Sequence, residues 1–167
     1  MRDPAVEAWF EGRLPEEWLA KPPHVAVDRD EIVVVVPLAE PDAEETADAR
    51  RAACLLGVQR FREETREARV GIAEEAEHRF ARKVSWGAAC GDVRVLFTHL
   101  SIPVMTRLRM PEREVLHTLV EANVARSRSE ALAWCVRLVR QNQGEWIDQL
   151  KAALRQVEKI RSEGPAA

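Results

Sequence analysis

The spacing of apolar residues changes several times along the chain, and each change marks a predicted element. His24–Val27 and Ile32–Pro37 are β-rich runs on either side of the polar Asp28-Arg29-Asp30-Glu31, which reads as a hairpin. The unbroken Ile32–Val36 run needs burial on both faces or a covering helix, and Pro37 and Pro41 end it. From Asp42 to about Lys83 the period becomes helical, through Ala47, Cys54, Leu55, Val58, Phe61, Ala68, Ile72, Ala76 and Phe80, with a bend expected at Gly57 or Gly71. Its many charges read as a solvated face. Val84–Cys90 and Val93–Leu100 flank Gly91-Asp92, a strong two-residue turn signal, and predict a second hairpin. Ahead of all this, Trp9, Phe10, Leu14, Trp18 and Leu19 are broken by Gly12, Pro15 and Pro22-Pro23. Two short helical turns are expected there, forming an aromatic arm that docks on the protein's own core, with a partner surface as the second option.

Beyond residue 100 the pattern is tighter. Val104, Thr106, Leu108 and Met110 alternate with Met105, Arg107 and Arg109, which predicts one short strand with an apolar face and a basic face. Pro111 suits the first position of a helix, and Glu112 and Glu114 suit its positive end. Val115, Leu116, Leu119 and Val120 then give a single buried helical face, and Asn123 is placed for a left-handed stop. Ser127 or Ser129 can cap a second helix, with Glu130 as the capping-box partner of Ser127 and a buried face of Ala131, Leu132, Cys135, Val136 and Val139. After Gly144 a third amphipathic helix carries Trp146, Ile147, Leu150, Leu154, Val157 and Ile160, and the small polar residues from Ser162 to Ala167 are expected to fray.

A lone strand and two short helices leave a ladder of backbone groups unpaired and bury too little core, so a second copy is the economical solution. The strand-helix-helix order, with RLRMPERE at the first junction and RSRSEAL at the second helix start, resembles the ribbon-helix-helix family of dimeric DNA-binding proteins over about a quarter of the chain. It departs from the family pattern in having Asn123 where a glycine is usual, and in having the apolar Ala133 and Trp134 where polar outward residues are usual. The second departure implies an extra layer over that helix, from the C-terminal helix or the N-terminal module. The resemblance implies a homodimer whose paired strands enter the major groove of double-stranded DNA. Met105, Arg107 and Arg109 would then face base edges: arginine reads guanine in bidentate fashion, and methionine touches a thymine methyl. Ser127, Arg128 and Ser129, at a helix N-terminus, would hold a phosphate.

Charge distribution supports this placement. The chain carries a net −3, but residues 1–100 hold −6 and residues 101–143 hold +3, with all seven basic residues of that block arginine. A local basic patch on an otherwise acidic chain can neutralise phosphates while limiting non-specific binding. Cys54, Cys90 and Cys135 are odd in number and in no CxxC spacing, and are expected to be reduced thiols. His24, His78, His99 and His117 form no HExxH or other ligand pairing, no glycine-rich phosphate loop joins a strand to a helix, and Glu74, Glu75 and Glu77 have no matching acid, base or nucleophile. No catalytic residue, metal or cofactor is therefore expected. The start of the sequence lacks a signal-peptide layout and no apolar run reaches a membrane span, so a cytoplasmic protein is expected.

The reading as a whole is α+β: a module of two hairpins and a long helical region over 1–100, a ribbon-helix-helix-like unit over 101–143, and a C-terminal helix and tail over 144–167. The leading expectation is a dimeric, sequence-specific transcriptional regulator. The alternative is a protein-interaction or antitoxin-like factor that uses the same unit only to dimerise and binds a protein partner through residues 1–100.

Overall fold

Among the described residues, apolar runs between polar turns form four strands: β1 (His24–Val27), β2 (Glu31–Pro37), β3 (Lys83–Cys90) and β4 (Val93–Leu96). The computed structural model describes residues 3–41 and 46–163, the side chain of Glu158 excepted. The expected helix start at Asp42 lies outside the described residues, as do the last four positions of the expected frayed tail. The chain divides into two units, Met1–Pro103 and Val104–Ala167, and the C-terminal helix falls within the second.

Both expected hairpins are present in the first unit. β1 pairs antiparallel with β2, closed by Asp28, whose Oδ1 accepts from the N–H groups of Asp30 (2.8 Å) and Glu31 (2.7 Å). β3 pairs antiparallel with β4 through Gly91, whose φ of +56° is the left-handed conformation this turn requires. The two hairpins form one sheet, because β2 and β3 are parallel neighbours in the order β1-β2-β3-β4, with Ile32 opposite Val84 and Val34 opposite Trp86. β4 is shorter than expected and ends at Leu96, although the Phe97 N–H still donates to the Trp86 carbonyl. At Gly87 a Cβ would lie 2.7 Å from the Val95 carbonyl oxygen, so close approach of the edge strand demands glycine there.

The parallel pair is joined by two helices, α2 (Ala47–Glu64) and α3 (Arg66–Phe80). The break between them falls at Thr65, and not at Gly57 or Gly71, which sit inside the helices with open space around them. The Thr65 hydroxyl donates back to the Phe61 carbonyl (2.5 Å), a bond that bends helices. Buried Arg69 then secures the corner: its Nε donates to Thr65 Oγ1 (3.0 Å), its Nη2 donates to the Arg62 carbonyl (2.6 Å), and its guanidinium lies 4.9 Å from the Phe97 ring centre. Burial, with Arg62 and Arg66 nearby, pulls the Arg69 guanidinium below the usual arginine value.

The N-terminal arm contains one full helix, α1 (Pro4–Arg13), capped by Asp3, followed by a 3-10 turn at Glu16–Trp18. It docks on its own core. Phe10 is fully buried against Trp86 (centroids 6.0 Å), Trp9 packs edge-on to Phe80 (5.6 Å), and Trp18 packs edge-on to Phe61 (5.3 Å). Arg13 clamps Glu75 of α3 with two bonds of 2.6 and 2.7 Å, and these hold the Glu75 carboxyl below its usual range. α1, α2 and α3 thus share the sheet face that carries Ile32, Val34, Val36, Trp86 and Ala88.

The expectation of three reduced thiols is corrected for two of them. Cys54 of α2 and Cys90 of β3 form a disulfide, with Cα atoms 5.4 Å apart, and Cys135 is free. Sequence spacing conceals this pair because α2 and the end of β3 meet only once the crossover is folded. The bridge closes a loop of sequence separation 36 that includes the α2–α3 corner. Reduction is expected to destabilise the first unit by about 2–4 kcal/mol. Urea unfolding followed by tryptophan emission should show a midpoint that falls on adding reductant, whereas Cys54→Ser/Cys90→Ser starts at the lower midpoint and does not respond.

Candidate nucleic-acid interface

In the second unit the expected helices form with their expected signals. α4 (Met110–Glu121) has Pro111 in its first turn, and Met110, expected as the last strand position, is its first residue. Arg113 Nη1 donates to the Leu108 carbonyl (2.9 Å), tying the helix to the extended segment before it. Asn123 takes the left-handed stop with φ of +57°, and the N–H groups of Val124 and Ala125 both donate to the Leu119 carbonyl. α5 (Arg128–Asn142) follows, capped by Ser127 and not by Ser129. Ser127 Oγ accepts from the Glu130 N–H (3.2 Å). The returning bond differs by one residue from a standard capping box, since Glu130 Oε2 accepts from the N–H of Arg126 (2.8 Å).

A small core joins these pieces. Leu116, Ala125 and Ala131 are buried, and Leu108, Leu119, Val120, Leu132 and Cys135 pack around them half-buried. The remaining residues of the expected inner faces are open in a single copy of the chain: Val104 is 82% exposed, Val136 is 63% exposed, and Val115 and Val139 are about half exposed. Ala133 is also exposed and Trp134 is half-buried. The last helix, α6 (Gly144–Glu163), forms as expected, yet Trp146, Leu150, Leu154, Val157 and Ile160 lie along an exposed stripe.

The residues expected to face bases fall on the segment that precedes α4. The strand expected over Val104–Met110 is not formed: residues 98–109 carry no regular secondary structure and no ladder partner, because a lone segment has no neighbouring strand to bond to, and Arg109 at the helix start is extended (φ −81°, ψ 177°). Met105 is 95% exposed and Arg107 and Arg109 are exposed, but so are Val104, Thr106 and Met110 of the expected inner face, and Leu108 alone of that face packs against the core. Arg128 and Ser129 are exposed in the first turn of α5, where backbone N–H groups lack helical partners. Ser127 and Arg128, with His117, Val120 and Glu121, line an open cavity of about 410 Å³ at the α4–α5 corner. The structure thus brings Ser127, Arg128 and Ser129 to one helix end, and carries Met105, Arg107 and Arg109 on the irregular segment that leads into α4. Among the described residues no group of three or more His, Cys, Asp and Glu could hold a metal ion, and no helix is long and apolar enough to cross a membrane. Sequence reasoning missed the first-unit groove of about 620 Å³ between α2 and β4, lined by Leu55, Leu56, Val58, Val95, Phe97 and Arg62 among others. The only available signal was a helix face whose leucines exceed what its buried side needs.

The cap at Ser127 fixes where α5 begins and therefore where Arg128 and Ser129 sit. Ser127→Ala should cost about 1 kcal/mol of second-unit stability, and Ser127→Asp should retain it. Thermal denaturation followed by far-ultraviolet circular dichroism is the check.

The described units correspond to two known family descriptions. Residues 4–96 match the N-terminal domain of the Rv1265-like protein family, and residues 109–161 match the Mb1296 C-terminal domain. The protein Rv1265 of Mycobacterium tuberculosis and the protein Mb1296 of Mycobacterium bovis, each described as an uncharacterized protein, are both 52% identical to this chain over 157 residues. The alignment takes in 94% of this chain and 69% of each relative. No solved structure matches the chain. With its first unit matched almost end to end and relatives aligned along nearly its whole length, the chain belongs to the Rv1265-like protein family.

Proposed function

We propose that the protein is a dimeric, sequence-specific DNA-binding transcriptional regulator of ribbon-helix-helix type. Two copies pair their 104–109 segments antiparallel and lay the resulting ribbon in a major groove. Met105, Arg107 and Arg109 contact base edges, while Ser127, Arg128 and Ser129 at the start of α5 hold a phosphate. The observation that carries this reading is the unpaired segment that leads into α4. Its backbone has no ladder partner in one copy, and the apolar residues beside it on α4 and α5, Val115, Val136 and Val139, are open as well. A second copy supplies both the missing strand and the missing cover, and alternation then leaves the arginines outward. Such a regulator works in the cytoplasm, where the chromosome is, and has no catalytic role or cofactor.

A second reading is favoured by the groove beside Leu55 and Leu56, both substantially exposed. There the second unit serves only to dimerise, in the manner of an antitoxin, and residues 1–100 bind a protein partner.

Selection of duplexes from a random pool at near-physiological salt separates the two. Enrichment of a two-fold symmetric site is expected, with affinity falling steeply as salt rises. Arg107→Ala/Arg109→Ala should weaken binding to the selected duplex by about 2–6 kcal/mol, as two lost bidentate contacts would, while sedimentation still shows a dimer. Unchanged affinity in that variant would rule out the ribbon face. Dimers with no duplex preference and no salt-dependent shift would leave the protein-partner reading.

A further inference from the structure

α6 leaves its apolar side open. Trp146, Leu150, Leu154, Val157 and Ile160 are between 44% and 61% exposed, and among the described residues nothing of the same copy covers them. At 3.6 residues per turn these side chains, with half-buried Ile147 and exposed Ala153, share one side of the helix. The helix's own ion pairs, Asp148 with Lys151 and Lys159 with Glu163, fall outside that stripe, so covering it need not break them. The order of residues along the stripe has two features that suit one partner. The first is symmetry: about a midpoint between Ala153 and Leu154, Leu150 answers Val157 and Ile147 answers Ile160, so the apolar positions are the same read from either end. A second copy laid antiparallel therefore meets apolar residues with apolar residues at every level. The second feature is the pair of residues at the ends. Trp146 and Arg161 stand about 22 Å apart along the helix, and the same two-fold operation sets each level with the other in the facing copy. A guanidinium over an indole ring is attractive. A parallel pair would instead bring Arg161 against Arg161 on the seam, like charge against like.

We propose that α6 is a self-association surface: the α6 helices of two copies pack antiparallel about a two-fold axis beside Ala153 and Leu154, with Arg161 of each copy on Trp146 of the other. Such an interface is isologous, since the same stripe serves both copies and every contact occurs twice. Antiparallel packing also sets the positive end of each helix beside the negative end of its neighbour. The seam itself is Leu150, Leu154 and Val157 with Ile147 and Ile160 toward its edges, and small Ala153 at the axis lets the two backbones approach. This inference concerns α6 alone and holds whether or not the 104–109 segments pair or bind DNA.

The test is photo-crosslinking of the full chain carrying Trp146→p-benzoylphenylalanine, as an equal mixture of unlabelled and heavy-isotope-labelled copies, with adducts mapped by mass spectrometry. Adducts that join a light chain to a heavy one and fall within residues 157–163 are expected. Intermolecular adducts around residue 146 itself, which a parallel pair would give, intermolecular adducts outside α6, adducts confined to one chain, or no adducts overturn the proposal. A second measurement places the photo-reactive group near the axis as Leu154→p-benzoylphenylalanine and follows crosslink yield against protein concentration. Adding Arg161→Ala should raise the concentration of half-maximal yield by about fivefold to thirtyfold, as the loss of two cation–π contacts would, and Arg161→Lys should raise it less. An unchanged or lowered half-maximal concentration in Arg161→Ala overturns the antiparallel arrangement. Every substituted side chain is exposed in the single copy, so circular dichroism of the variants should match that of the parent chain.

Discussion

The parallel pairing of β2 with β3 is the constraint from which the rest of the first unit follows. Two parallel neighbours cannot be joined by a tight turn, so the chain between them must cross over the sheet, and it does so as α2 and α3. With both helices on one face, the alternate residues Ile32, Val34 and Val36 of the apolar run become fully buried beneath them. α1 adds to the same face through Phe10 and Trp9, so the aromatic arm is an integral part of the core. The disulfide is a further consequence. Only the crossover brings Cys54 of α2 over the end of β3, where Cys90 lies.

Local signals in the sequence proved readable where the physics is local. The Asp28 turn, the Gly91 turn, the left-handed Asn123 and the Ser127 cap each depend on one residue and its immediate neighbours, and each occurs as expected. Nothing local encodes that two hairpins share one sheet in parallel, because that pairing is set by what the helices must cover. The helix break shows the limit from the other direction. Gly57 and Gly71 have the weaker helix propensity, but the chain bends at Thr65, where a hydroxyl bonded to Phe61 and a buried guanidinium bonded to Arg62 make a corner that propensity scales do not see. Met110 shows a similar shift. Alternation assigned it to the strand, and the Pro111 helix start claimed it.

The candidate interface was legible to a different degree. Residue types, order and helix caps could be read directly, since Arg107, Arg109, Ser127 and Glu130 act through spacing along one short stretch. The proposed ribbon would lie between two chains, and one chain shows only a segment with no ladder partner and exposed valines.

The exposed valines also bear on the charge distribution. If Val104, Val115, Val136 and Val139 are the surfaces a second copy covers, the two-residue period of the segment obliges Met105, Arg107 and Arg109 to point away from the shared core. A two-fold axis then doubles the arginines on one outer face without adding any carboxylate from the same segment, since the acidic residues nearest to it, Glu112 and Glu114, lie on α4 beyond Pro111. In the proposed dimer the unit that is +3 in one copy would carry a concentrated cationic ribbon, and screening at ordinary ionic strength would confine the influence of the −6 on residues 1–100 to charges within about 8–10 Å of it.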